Sequence, residues 1–329
     1  MRALAFFLPV AAYGAACIST TDCTEWITFG SGPARSMVYR SQPLTEKNEK
    51  IKRAFILVHG AGRDADNYFR TALAAAFLAG ALEDTVIVAP HFTSKAGSCQ
   101  DTLAANEVNW ACSGDSWRSG AVSVSNKDLT SYDFADEILR KLARKDVFPN
   151  LKAIVLAGHS AGGQFVTRYE MANKVHDTLG VPVTYVVANP SSYAYPDALR
   201  PAGDKLEMRA FADKSKCAAY NHWPYGLEAR GNGYASKVPD SQLIKQLAAR
   251  PTYYLLGQLD ILPLAGFDSS CSAMAQGSSR LARGQAFGNY VVSKYGAKEH
   301  KTVVVELCGH NARCMFTSDQ ALPIVFPKQ

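Results

Sequence analysis

Ala153-Ile154-Val155-Leu156-Ala157-Gly158-His159-Ser160-Ala161-Gly162-Gly163 is the stretch that decides the fold. Five apolar residues in a row, two of them β-branched, predict a strand buried on both faces. The Gly-x-Ser-x-Gly that follows opens a run of helical period over 161–175. A serine at such a strand-to-helix corner sits on a strained turn that projects its hydroxyl, and flanking glycines let strand and helix approach without a clash. The new helix also aims its free N–H groups and positive end at the hydroxyl. The alternative is a tight structural turn whose serine only caps the helix.

Outward from this corner, short continuous apolar runs recur at Ala54–Val58, Val86–Ala89, Val183–Ala188, Thr252–Leu256 and Thr302–Leu307. Helical stretches lie between them: Phe134, Ile138 and Leu142 recur every four residues ahead of a Phe148-Pro149 stop, and 279–295 precedes the last run. Alternation of this kind predicts one α/β domain with a doubly wound, mostly parallel sheet. Glu25–Phe29 and Ser36–Arg40 read as antiparallel strands at the first edge. Two segments break the pattern, about 94–126 and 191–250, and are expected as lid-like insertions over the carboxyl edge of the sheet, where such sheets bind ligands.

The chain has 329 residues with 47% hydrophobic and 19% charged, an ordinary globular composition. Met1-Arg2 followed by an apolar run and small residues to Ala16 has the layout of a cleaved secretory leader, giving residues 1–16 as signal and 17–329 as a single catalytic domain. Gly14-Ala15-Ala16-Cys17 also has a trace of a lipoprotein processing site, but lacks the apolar residue three before the cysteine. Lipidation there would also strand one thiol. All eight cysteines lie beyond the leader, an even number suited to disulfides in an oxidising compartment. Pairing sequence neighbours gives Cys17–Cys23, Cys99–Cys112 and Cys308–Cys314, leaving Cys217–Cys271. No C-x-x-C is present, so a metal or redox site is not expected. The net charge of +6 is scattered, which argues against nucleic-acid or anionic-membrane binding. No later stretch has the length of a membrane span.

Phe55-Ile56-Leu57-Val58-His59-Gly60-Ala61-Gly62 ends a strand in His-Gly-x-Gly. Attack on an acyl carbon places charge on its oxygen, and pre-positioned backbone N–H groups hold that charge. The expected donors are the N–H groups of Ala161 and of Ala61, chosen over Gly62. His59 is read as a structural residue of the loop. Among His91, His159, His176, His222, His300 and His310, the base for Ser160 is taken as His310. It follows the last apolar run, between Cys308 and Cys314, and the chain order serine, acid, histidine makes it last. The acid is Asp260, at the end of the Thr252–Leu256 run, with Asp268 as its rival.

With these elements in place, residues 50–329 resemble the α/β-hydrolase superfamily through His59-Gly60-Ala61-Gly62, Gly158–Gly163, Asp260 and His310. Trp117-Arg118-Ser119-Gly120, Asn189-Pro190-Ser191-Ser192-Tyr193 and Trp223-Pro224-Tyr225-Gly226-Leu227 are further similar to secreted esterase-like relatives of polyhydroxyalkanoate depolymerases and feruloyl esterases. The resemblance implies a Ser160–His310–Asp260 serine hydrolase that needs no cofactor or metal and acts on small or polymeric esters. Amides, peptides or lactones are alternative substrates for the same parts, and a binding protein on a silent fold is the non-enzymatic alternative. The aromatics of the two insertions, Trp117, Tyr193 and Trp223 among them, are expected as substrate walls. Their alternative place is the small core of a lid.

Overall fold

The computed structural model describes residues 15–113, 116–203, 206–264 and 266–328, so the leader, apart from Ala15 and Ala16, lies outside the described residues. In chain order the elements are β1 (Thr24–Thr28), β2 (Arg35–Arg40), β3 (Arg53–Val58), α1 (Ala65–Leu78), β4 (Thr85–Pro90), α2 (Ser131–Leu142), β5 (Ala153–His159), α3 (Ala161–Ala172) and β6 (Val183–Ala188). A hairpin, β7 (Leu199–Ala202) and β8 (Glu207–Ala210), comes next. It is followed by α4 (Asp240–Ala249), β9 (Thr252–Gly257), α5 (Cys271–Met274), α6 (Arg280–Tyr295), β10 (His300–Val305), α7 (Ala312–Phe316) and α8 (Leu322–Val325).

The main sheet has eight strands in the order β1-β2-β4-β3-β5-β6-β9-β10. β1–β2 and β2–β4 pair antiparallel and every other pair is parallel. The central strands are apolar throughout because both faces are covered. Along β3, Ala54, Ile56 and Val58 enter the core beneath α2, α3, α4 and α6, whereas Phe55 and Leu57 enter the core beneath α1, α7 and α8. β5 divides likewise, with Ile154 and Leu156 on one face and Val155 and Ala157 on the other. A strand with one wet face would alternate with polar residues instead.

Local chemistry sets the helix ends. Thr130 and Asp133 form a reciprocal capping box at the start of α2, whose Phe134, Ile138 and Leu142 are buried as their spacing requires. Ser279 caps α6, and left-handed Gly296 ends it.

The structure departs from the sequence reading in four places. α2 stops at Leu142, six residues before Phe148, so the proline is not its terminator. α3 ends at Ala172 rather than 175. The last strand starts two residues earlier than expected and ends at Val305, because Leu307 turns out at φ 55. The 191–250 insertion is only partly irregular: it contains the β7–β8 hairpin and ends in α4, the helix that packs on α3 and α6 in the crossover to β9. All four cysteine pairs form as neighbour pairing gives them: Cys17–Cys23, Cys99–Cys112, Cys217–Cys271 and Cys308–Cys314. Among the described residues no helix is long and apolar enough to cross a membrane.

Candidate active site

β5 delivers Ser160 to the carboxyl edge of the sheet, and α3 leaves from it at once. Ser160 has φ 57 and ψ −117, a backbone state that costs a non-glycine residue about 1–3 kcal/mol and persists only where its surroundings enforce it. Here they do. The Ser160 N–H donates to Ala188 O at the end of β6 (2.9 Å), and its carbonyl accepts from Gln164 N–H (3.0 Å). The crossing is so close that a Cβ on Gly158 would stand 2.2 Å from the Gly162 carbonyl oxygen, and one on Gly162 2.2 Å from Val58 O. Glycine at both positions is therefore a steric requirement of the corner.

Two further loops converge on the serine. His310, from the loop closed by Cys308–Cys314, places Nε2 2.9 Å from Ser160 Oγ and Nδ1 2.7 Å from Asp260 Oδ2. Because a carboxylate only accepts, Nδ1 carries the proton and donates it to Asp260, which leaves the Nε2 lone pair to accept the serine hydroxyl. A hydroxyl facing a neutral imidazole, itself fixed by a carboxylate, is the arrangement that activates an oxygen nucleophile. Asp268 is elsewhere: its carboxylate accepts from Tyr225 OH (2.8 Å) and Ser270 N–H (3.0 Å).

Asp260 is also buried against a cation. Arg280, wholly buried, places Nη1 3.3 Å from Asp260 Oδ1 and donates from Nε to Ser191 Oγ (2.7 Å). Asn189 completes the support. Its Oδ1 accepts the Gly257 N–H (2.7 Å) and its Nδ2 donates to Gly309 O (3.2 Å), tying the ends of β6 and β9 to the His310 loop. Neither residue was singled out from the sequence for this role. The signal available for Arg280 was an arginine one residue inside a helix that follows the acid.

The loop after β3 faces the serine from the other side. His59 Nδ1 donates to Gly60 O (2.8 Å) while its Nε2 accepts the Phe92 N–H (3.1 Å), and Gly60 O also accepts from Arg63 N–H (3.2 Å). In a trans peptide the carbonyl and the next N–H point in opposite directions. With Gly60 O held toward His59 and Arg63, the Ala61 N–H faces away from them. Ala161 is the first residue of α3, so its N–H has no helical acceptor. Burial, then the neighbouring His91, push the His59 pKa down to about 3, so the ring stays neutral and structural. His159 is nearly buried at the floor of the site, its Nδ1 3.2 Å from Tyr68 OH and its ring 4.7 Å from that of His310. Burial, then His310 and Arg280, hold its pKa well below the ordinary histidine value.

The resulting open cleft, about 440 Å³, is lined by Gly60–Gly62, Asp64, Asn67, Tyr68, Thr71, His159, Ser160, Gly266 and His310–Arg313. Trp117, Tyr193 and Trp223 are absent from this lining, which corrects the expectation of substrate walls. Trp117 is buried, stacked on Phe92 (4.9 Å) and packed against His59 (4.9 Å). Tyr193 is fully buried and stacks on Phe287 (4.5 Å). Trp223 donates from Nε1 to Ser119 O (2.9 Å) and packs on the core. Large aromatics remove more apolar area from water inside the fold than at a wet rim, and core packing uses them first.

The alpha/beta hydrolase family model matches residues 55–322, the span that holds all of these loops. The chain belongs to the alpha/beta hydrolase family. This hydrolase is similar in fold to a poly(3-hydroxybutyrate) depolymerase from Bordetella parapertussis, at 21% identity and TM-score 0.60 over 89% of this chain and 84% of that one. It is also similar to poly(aspartic acid) hydrolase-1 from Sphingomonas sp. KT-1, at 20% identity and TM-score 0.61 over 89% of this chain and 94% of that one. No curated protein matches the hydrolase in sequence.

Proposed function

We propose that the protein is a serine hydrolase that cleaves carboxylic esters through an acyl-enzyme intermediate. One observation carries the reading: the unbroken relay Ser160 Oγ–His310 Nε2 at 2.9 Å and His310 Nδ1–Asp260 Oδ2 at 2.7 Å, opening on a cleft. In the first step Ser160 Oγ bonds the acyl carbon as its proton passes to His310 Nε2. The carbonyl π pair moves onto oxygen, where the N–H groups of Ala61 and Ala161 receive it. Collapse of this adduct breaks the ester C–O bond, and His310 gives its proton to the leaving alkoxide. A water then repeats the sequence, returning the proton to Ser160 Oγ as the carboxylic acid leaves. Asp260 remains ionised and stabilises the imidazolium that forms twice in each cycle.

Residues 17–329 act in this reading as a single catalytic domain. We place it outside the cell, in keeping with the four disulfides and the expected leader. Amino-terminal sequencing of protein recovered from medium should begin at Cys17.

The test is turnover of short p-nitrophenyl esters beside matched anilides. Ester turnover should dominate, and Ser160→Ala should lower it by roughly 10⁴-fold or more, with loss of fluorophosphonate labelling. Undiminished ester turnover by that variant ends the reading, and anilide turnover above ester turnover moves it to amide bonds.

A further inference from the structure

Among the described residues of the cleft lining, Tyr68 is the only phenol, and no step of the proposed reaction uses it. A Cβ on Gly60 would stand 2.8 Å from Tyr68 Oη and 3.7 Å from Ser160 Cβ, so the phenol and the serine flank the same point of the loop after β3. The direction of the Tyr68 proton follows from Asn189. Gly257 N–H can only donate, so the Asn189 atom that meets it at 2.7 Å is Oδ1, and the other atom is the amide nitrogen. That Nδ2 donates one hydrogen to Gly309 O (3.2 Å) and turns the other toward His159 Nε2 (3.5 Å). His159 is neutral and carries one N–H. With Nε2 facing a donor, that hydrogen is on Nδ1, which donates it to Tyr68 Oη (3.2 Å). The phenol oxygen thus accepts from the floor and keeps its own hydrogen for the cleft. Burial, then the Asp64 carboxylate, hold the phenol above its ordinary pKa against the opposing Gly60 N–H, so the hydrogen stays on the oxygen.

Two neighbours select the substrate atom that this hydrogen meets. The rings of His159 and His310 lie 4.7 Å apart, and both line the cleft with Tyr68, so the phenol faces the end of the cleft that His310 serves. Ala161, whose N–H is to receive the acyl oxygen, does not line it, so that oxygen turns toward the start of α3. The oxygen that leaves the acyl carbon is the one that stays on the His310 side. We propose that Tyr68 is a further catalytic residue, whose hydroxyl donates a hydrogen bond to the ester's alcohol oxygen as it departs and to the water that replaces it. This rests on the ester-hydrolase reading and adds a group to it. As the adduct collapses, the C–O electron pair passes to the alcohol oxygen. One lone pair there takes the His310 Nε2 proton, and another accepts from Tyr68, which keeps its hydrogen. In the second half the water oxygen lies at the same point, gives its proton to His310 and accepts from Tyr68. His159 touches no substrate and acts as a positioning residue.

The leaving alcohol is the probe. p-Nitrophenolate spreads its charge into the ring and departs with little help, whereas ethoxide does not. The measurement is kcat/KM, which reports the steps up to alcohol departure, for the acetates of p-nitrophenol, phenol, trifluoroethanol and ethanol. Tyr68→Phe should slow the p-nitrophenyl ester about threefold and the ethyl ester about 10²-fold, with the other two graded between. Fluorophosphonate should still label its Ser160, because fluoride departs without a proton. His159→Phe, which donates nothing to Tyr68, should grade the series in the same direction by a smaller factor, and it serves if Tyr68→Phe does not fold in thermal melting. Equal slowing across the series, as a lost oxyanion donor or a disturbed fold would give, overturns the proposal, as does no slowing. In that case retained labelling and ester turnover leave the hydrolase reading standing. If the unaltered protein cleaves anilides and not esters, the same grading across anilides of stepped amine basicity keeps Tyr68 and removes the ester reading, and a flat series removes both.

Discussion

The two banks of the Ser160 cleft are made of different material. The bank after β3 is backbone and polar side chain: Gly60–Gly62, Asp64, Asn67 and Thr71, with peptide directions set by the buried His59 ring. The bank after β9 is aliphatic on its surface and ionic beneath, where Asp260 meets His310 and Arg280. The contrast separates two tasks. In the proposed reaction, charge that develops during acyl transfer needs fixed dipoles that do not reorganise. A buried carboxylate, by contrast, needs a paired cation and hydrogen-bond donors, which Arg280 and the His310 Nδ1–H supply.

The largest effect that would sharpen this contrast is at the ionic core of the second bank. Asp260→Asn should lower kcat by about 10⁴-fold, because an amide no longer enforces the His310 tautomer. Asp268→Asn should leave kcat within about threefold, as expected for a residue outside the relay. Steady-state kinetics on a soluble ester decide it, and equal losses would return the two aspartates to rivalry.

Next comes the support of the first bank. Trp117→Ala should cost about 3–5 kcal/mol of stability by leaving a cavity behind His59 and Phe92. Thermal unfolding checks this. A changed KM with an unchanged melting temperature would restore Trp117 as a substrate wall. His59→Ala should lower kcat by about 10²-fold with little change in KM, since it frees the Gly60 carbonyl to rotate and take the Ala61 N–H with it.

The last effect lies at Asp136, whose carboxylate accepts from Tyr169 OH (2.6 Å) and Tyr234 OH (2.7 Å). Burial raises its pKa to about 6 against the opposing pull of those two hydroxyls and Arg140. The folded state therefore binds this proton more tightly than the unfolded chain does. Its contribution is full below about pH 4 and is lost as pH rises through about 6, a swing of up to about 3 kcal/mol. Asp136→Asn cannot titrate, so the stability advantage of the unaltered protein over it should shrink between pH 4 and 7 in calorimetry. A constant difference would rule this out.

The sequence carried the strands well, because burial on both faces leaves an unbroken apolar run that few other elements share. The serine corner was equally legible, since only glycine fits at 158 and 162. Asp260 and His310 were legible by order along the chain rather than by any local motif. The aromatics were misread as walls because composition reports that Trp117, Tyr193 and Trp223 are large and amphipathic, not which neighbour they face. Arg280 and Asn189 were missed for a related reason: each acts through partners 20 or more residues away, brought together only by the sheet. The helix α4 was hidden by the irregular chain that precedes it.

The bridge between Cys308 and Cys314 spans six positions. Closing so short a ring adds only about 2 kcal/mol to the whole fold, but the ring contains His310. A production host whose cytosol keeps thiols reduced would thus be expected to yield material that loses stability through all four missing bridges and loses activity beyond that through the unclosed His310 loop. Export to an oxidising compartment, or refolding with a thiol-exchange couple, is the step on which specific activity of a preparation will depend.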